Sequence, residues 1–69
     1  MAVVRVFLRH PDGTIDEAAD LDAARTAARE GDVIGQVHRG GHVEYEALVG
    51  TTFIAQPSGW RPRLPVHRP

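Results

Sequence analysis

The sequence contains no cysteine, no lysine and no asparagine, and its only serine is Ser58. Without cysteine the chain has no disulfide, no thiolate metal site and no cysteine nucleophile. A single serine between a proline and a glycine also disfavours a serine-based triad. Because proteins kept in a reducing compartment rarely rely on disulfides, the absence of cysteine favours the cytoplasm.

Long apolar runs are also absent, since no stretch approaches the roughly 20 residues of a membrane-spanning helix. The first nine residues lack the basic and then apolar pattern of a signal peptide, and we expect a strand there instead. We therefore expect no membrane association. The wealth of alanine, arginine, glycine, valine and proline reflects GC-rich codons and indicates a bacterium, a phage or a plasmid as the source.

With 69 residues the chain forms at most one domain, and a domain this small buries only about 60% of its unfolded surface. Because disulfides and thiolate metal sites are excluded, self-association is a natural way to compensate, and we expect a homodimer. The composition changes at Gln56, which divides the chain into an α+β domain over 1–56 and a tail over 57–69. The tail contains four of the five prolines and should be extended, close to polyproline II.

Charge is distributed unevenly between these two parts. Residues 1–56 carry all nine acids and five of the eight arginines, whereas residues 57–69 carry three arginines and no acid. An acidic body with a basic tail predicts that the tail docks on an acidic surface, either of another protein or of a second copy.

The first part of the domain is predicted to be a β-hairpin. Residues 3–9 are rich in β-branched and aromatic side chains, with Val4, Val6 and Leu8 on one face of the strand. The Pro and Gly of residues 10–13 predict a tight turn, and residues 14–18 a short second strand.

Two starting points compete for the single helix. Thr14 and Glu17 match a capping box, but a helix that began there would place Ile15 on the polar side of the helical wheel. The wheel instead favours Asp20 as the N-cap of a helix over 21–30, with Gly31 following its end. Its apolar side is mostly alanine, which permits close packing on a sheet.

Residues 33–48 predict a second hairpin around two glycines, and two registers are possible. A two-residue Gly-Gly loop mixes apolar and polar side chains on both faces. A three-residue loop over 39–41 pairs Val37 with Val43 and places the apolar and the polar side chains on opposite faces, so we prefer this register. It places five polar side chains on one face, which we expect to lie away from the helix: Gln36, His38, His42, Glu44 and Glu46. Residues 51–55 are a plausible last strand.

These elements predict an α+β fold with a small, mainly antiparallel sheet of four to five strands. The order along the chain is β-β-α-β-β, with one helix packed on one face and an extended Pro-rich C-terminal tail.

No pattern in the chain favours an enzyme, a metal or a cofactor. His38, His42 and Glu44 provide three potential metal ligands, but the hairpin's polar face equally explains them as solvated side chains. The acids at positions 16, 17, 20 and 22 are explained by helix capping and a solvated acidic patch.

We therefore expect a non-enzymatic protein-binding module, of accessory or inhibitor type, that acts through its open sheet face and its tail. Tryptophan and arginine are the most frequent interface anchors. The expected partner-binding residues are Trp60, Arg61, Arg63, Leu64, Arg39, His38 and His42.

Two alternatives stay open. A nucleic-acid-binding accessory module would use Arg5, Arg9, Arg39 and the Trp60 tail, with Phe7 stacking on a base. The weaker alternative is a small metal-dependent or acid–base enzyme built around His38, His42 and Glu44.

Overall fold

The computed structural model of the protein describes residues 2–63. Of the predicted tail, residues 57–63 are therefore described, whereas Leu64 and the residues after it lie outside the described part. In the described part a five-stranded antiparallel sheet carries one helix, with strand order β2-β1-β3-β4-β5. This confirms the predicted α+β class and the β-β-α-β-β order, with the optional fifth strand present. The elements are β1 (Val3–Arg9), β2 (Ile15–Ala18), α1 (Leu21–Ala27), β3 (Val33–His38), β4 (Val43–Val49) and β5 (Thr52–Ala55).

The first hairpin closes as predicted, through a turn that its own side chains stabilise. The Asp12 carboxylate accepts hydrogen bonds from the backbone N–H and the hydroxyl of Thr14, at 2.9 and 2.7 Å. Gly13 adopts a φ of 92°, which only glycine accommodates easily. β1 and β2 then pair from Arg9 opposite Ile15 to Val6 opposite Ala18.

A β-bulge interrupts the start of β1. Val3 lies opposite His38 and Arg5 lies opposite Val37, so one extra residue, Val4, is inserted between them. The strict alternation predicted for the whole strand therefore holds only after the bulge. From there Val6 and Leu8 point toward the helix.

The helix begins where the helical wheel predicted and ends earlier than predicted. The side chain of Asp20 accepts a hydrogen bond from the Ala23 N–H at 2.8 Å and caps α1. The helix ends at Ala27 rather than at residue 30, since Ala28 is extended with a ψ of 144°. Beyond it, the buried carboxylate of Asp32 accepts the Arg29 N–H at 2.9 Å, which holds the chain in a turn instead of another helical turn.

The second hairpin has the predicted three-residue loop and the predicted register. Val37 pairs with Val43, Gly35 with Tyr45 and Val33 with Ala47. The loop glycines, Gly40 and Gly41, both have positive φ angles.

The hydrophobic core lies between the helix and the middle of the sheet. Val6, Leu8 and Ile34 of the sheet pack on Ala24 of the helix, which is only 1% exposed. Because alanine is small, the helix backbone approaches the sheet closely and the larger sheet side chains provide most of the buried volume.

The prediction that the polar side of the second hairpin faces away from the helix is wrong. Ile34, from the same face of β3 as Gln36 and His38, is part of the core under the helix. Glu46 accepts two hydrogen bonds from Arg25 of α1, at 2.8 and 3.0 Å. The seven-residue helix covers only part of the sheet, so polar residues share its face and pair with one another.

Within residues 2–63, no helix has the length and hydropathy needed to cross a bilayer.

Candidate functional site

Aromatic side chains line up across the sheet face that lies away from the helix. We call this surface, with Phe7, Tyr45 and Trp60 at its centre, the aromatic face. The ring centroids of Phe7 and Tyr45 are 6.3 Å apart and those of Tyr45 and Trp60 are 5.4 Å apart, both with an edge-to-face arrangement. Such pairs are favourable beyond their buried area, so the three rings support one another.

Gly35 provides the space for the innermost ring of this row. A Cβ atom at position 35 would overlap the Phe7 ring. The tip of the Phe7 ring therefore packs against the backbone of β3 at Gly35, and Phe7 is only 7% exposed.

The chain after β5 turns back and places Trp60 on this face. The Gln56 N–H donates to the Tyr45 carbonyl at 2.9 Å and extends the pairing of β5 with β4. A turn then follows in which the Trp60 N–H donates to the Pro57 carbonyl at 3.0 Å, with Gly59 at a φ of 84°. Trp60 is half-buried on its own sheet, so the start of the tail is anchored within the domain.

Two shallow grooves flank Trp60, and among residues 2–63 no carboxylate lines either of them. A groove of about 180 Å³ lies toward β1, where Arg9 and Arg63 line it together with His10. A second groove of about 270 Å³ lies toward the second hairpin, where Arg61 and His42 line it. Both grooves thus combine positive charge with the indole ring.

The arginines of this face differ in how they are neutralised. Arg5 makes a two-pronged ion pair with Glu17 and also lies over the Phe7 ring, 4.9 Å from its centroid. This ion pair lowers the pKa of Glu17 and raises that of Arg5, because each charge stabilises the other. By contrast, Arg9, Arg61 and Arg63 form no ion pair within residues 2–63.

The two histidines of the second hairpin lie elsewhere. His38 is on the helix side of the sheet, since it lies on the same face of β3 as Ile34, and its Nε2 lies 2.5 Å from the Glu44 carboxylate. Its Nδ1 is buried and has no hydrogen-bond partner among the described residues. The His38 and His42 rings are 5.7 Å apart, but residues 2–63 contain no group of three or more side chains placed to hold a metal.

The structure therefore divides the predicted partner-binding residues. Trp60, Arg61 and Arg63 come together on the aromatic face, and His42 reaches the edge of one of its grooves. His38 is separated from them by the sheet. Arg39 lies in the exposed hairpin turn, where its N–H donates to the Ala2 carbonyl at 3.0 Å.

Most of the acids weighed for catalysis instead hold the fold together. Asp20 caps the helix, Glu17 pairs with Arg5, and Asp16 accepts a hydrogen bond from His10.

A charged cluster that the sequence analysis missed is centred on His10. Its Nδ1 lies 3.0 Å from the buried Asp32 carboxylate and its Nε2 lies 2.7 Å from Asp16. The hydrogen bonds to Asp16 and Asp32 raise the pKa of His10. The cluster joins β2 to the turn after the helix, and only the pairing of the strands brings its members together.

Comparison with known proteins finds no matching family model, and no curated protein or solved structure with significant similarity to the chain. The function must therefore be argued from the site itself.

Proposed function

We propose that the chain is a non-enzymatic protein-binding module that docks an acidic partner on the aromatic face. One observation carries this proposal: Trp60 stands between two grooves that, in the described part of the chain, contain arginines and no carboxylate. Tryptophan, tyrosine and arginine dominate the energetics of protein interfaces, and all three types meet here.

Charge segregation across the sheet supports an acidic partner. The aromatic face presents three arginines that form no ion pair with another described residue, while Asp32, Glu44 and Glu46 lie on the helix side. An acidic segment that approached the helix side would meet like charge, whereas the aromatic face attracts it. The module would act by covering its partner's surface, as an accessory or inhibitor-type protein of a bacterium, phage or plasmid.

The anchored tail favours tight docking. Edge-to-face contact with Tyr45 and the flanking prolines restrict Trp60 before any partner binds. Since less side-chain and backbone freedom is then lost on association, more of the contact energy appears as affinity.

A second candidate is single-stranded nucleic acid, which the arginines beside an indole ring favour. Phosphates would contact Arg9, Arg61 or Arg63 while a base stacks on Trp60. The expected stacking on Phe7 is wrong, because that ring is buried and covered by the Arg5 guanidinium. Only Trp60 and Tyr45 are left as stacking platforms, which makes an acidic protein the better-supported ligand.

The two candidates are separated by the fluorescence of Trp60, the only tryptophan in the chain. We expect a short oligoglutamate peptide carrying a few apolar residues to change this emission with saturation, and a short oligothymidylate to do so more weakly. If oligothymidylate binds more tightly than the peptide, with an affinity that falls steeply as salt rises, the ligand of the aromatic face is nucleic acid and not an acidic protein. If neither probe changes the emission at low salt, the aromatic face is not an anion-binding surface.

We also propose that the protein works in the cytoplasm, which its complete lack of cysteine supports.

A further inference from the structure

The amino-terminal half of β1 lacks a neighbouring strand on the side of β2. β2 pairs with β1 only from Val6 to Arg9, and the chain then leaves the sheet after Ala18 to enter the helix. Val3 and Arg5 therefore pair with β3 on one side, and within residues 2–63 no strand pairs with residues 3–5 on the other. A free strand edge of this kind is a template for another strand.

A groove of about 430 Å³ runs along this free edge. Val3 to Val6 form one wall, Glu17 to Leu21 form the other, and Gln36 also lines it. Val3 is 41% and Val4 is 59% exposed, so two large apolar side chains face solvent where the sheet is unpaired. Soluble proteins usually cover such an edge or block it with charge.

We propose that this edge pairs with the same edge of a second copy of the chain. Antiparallel pairing about a two-fold axis at Val3 places Val3 opposite Val3 of the second copy and Val4 opposite its Ala2. β2 of each copy ends at Ala18, opposite Val6, whereas the new pair extends only over the first residues of β1, so the two β2 strands do not overlap it. The result is one continuous ten-stranded sheet.

The chemistry of the edge fits a second copy in particular. The segment is self-complementary, because the two-fold axis pairs Val3 with Val3 and Val4 with Ala2, so that apolar side chains meet apolar side chains. Its one charged residue, Arg5, is already neutralised by Glu17, so the axis does not bring two uncompensated cations together. The bulge at Val4 keeps the ladder short, and burial of the valines must supply much of the association energy.

The test is the molar mass of the full chain by light scattering, from about 1 µM to about 1 mM, where weak homodimers assemble. We expect the mass to rise from 7.5 kDa toward twice that value, and Val4→Lys to abolish the rise. Val49→Lys is the matched control, since Val49 is 57% exposed but lies at the other end of the sheet. It should leave the rise unchanged.

Amide hydrogen exchange gives a second measurement that does not depend on a variant. Exchange at residues 3–5 should slow as concentration increases, while exchange at residues 52–55 on the opposite edge should not. A constant mass of 7.5 kDa, a dimer that survives Val4→Lys, or concentration-independent exchange at residues 3–5 would each overturn the proposal. Because this edge does not include Trp60 or the arginines beside it, none of these outcomes bears on the proposed function.

Discussion

His10 shows how one side chain connects separate parts of this small fold. Its Nε2 contacts Asp16 of β2 and its Nδ1 contacts Asp32 before β3. Because a carboxylate only accepts hydrogen bonds, each of these ring nitrogens must carry a proton, and the ring is then positively charged. Because these bonds raise its pKa, the folded protein binds the His10 proton more tightly than the unfolded chain does.

This arrangement predicts a pH dependence of stability. The contribution of His10 is fully present below its unfolded pKa of about 6.5 and is lost as the pH rises through the higher folded value. We expect the free energy of unfolding, measured with urea, to fall as the pH rises above 6.5. His10→Gln should remove this fall, whereas the exposed His42→Gln should retain it. A fall of equal size in both variants would contradict the assignment to His10.

The residue types of the site could be predicted from the sequence, but their partners could not. Trp60, Arg61 and Arg63 stand out because tryptophan and arginine are common interface anchors. That Trp60 packs on Tyr45 depends on a turn over 57–60 that reverses the chain onto its own sheet. His10 and Asp32 are 22 positions apart, and no local pattern joins them.

At the scale of elements, the helix depends strongly on its cap. α1 has only seven residues, too few to be stable alone, and buries little more than Ala24 and parts of Leu21 and Ala28. The hydrogen bond from the Ala23 N–H to Asp20 satisfies one of the first free donors of the helix.

We therefore expect Asp20→Ala to lower the free energy of unfolding by about 1 kcal/mol. Asp22→Ala is the matched control, because Asp22 is an exposed acid in the first turn that does not cap the helix. Urea denaturation of both variants should show a clearly larger loss for Asp20→Ala. Equal losses would mean that general negative charge near the helix start matters, rather than the cap.

Element positions were predictable where local chemistry decides them. Turn glycines, the N-cap aspartate and alternating apolar residues fixed both hairpins, the second register and the start of the helix. The end of the helix was not predictable, because tertiary contacts determine it. Asp32 takes the Arg29 N–H, and the Gly31 N–H donates to the Leu48 carbonyl, which draws the chain toward β4.

For the whole molecule, the main feature is a sheet covered differently on its two sides. The helix covers part of the acidic side, and the segment after β5 places Trp60 on the arginine-bearing side. The pattern of the second hairpin correctly separates its apolar from its polar side chains. The expectation that the polar set lies away from the helix was wrong, because the polar set shares the helix side with Ile34. Both sets include residues that can be buried, and the ion pair between Arg25 and Glu46 lets an acid lie beside the helix.

The central claim is that the arginines beside Trp60 hold an acidic partner. It is tested most directly by comparing two double variants that remove the same charge. Arg9→Gln with Arg63→Gln alters the aromatic face, whereas Arg29→Gln with Arg39→Gln alters the helix side and the hairpin turn.

The measurement is the affinity of each variant for the oligoglutamate peptide, followed by Trp60 emission at constant salt. Each exposed ion pair contributes up to about 1 kcal/mol, so we expect a roughly tenfold loss for the Arg9 and Arg63 variant. The Arg29 and Arg39 variant should bind within about twofold of the wild type, because its charges lie away from the grooves. Equal losses in the two variants would contradict the claim that the arginines beside Trp60 hold the partner, because the affinity would then depend only on the net charge of the protein.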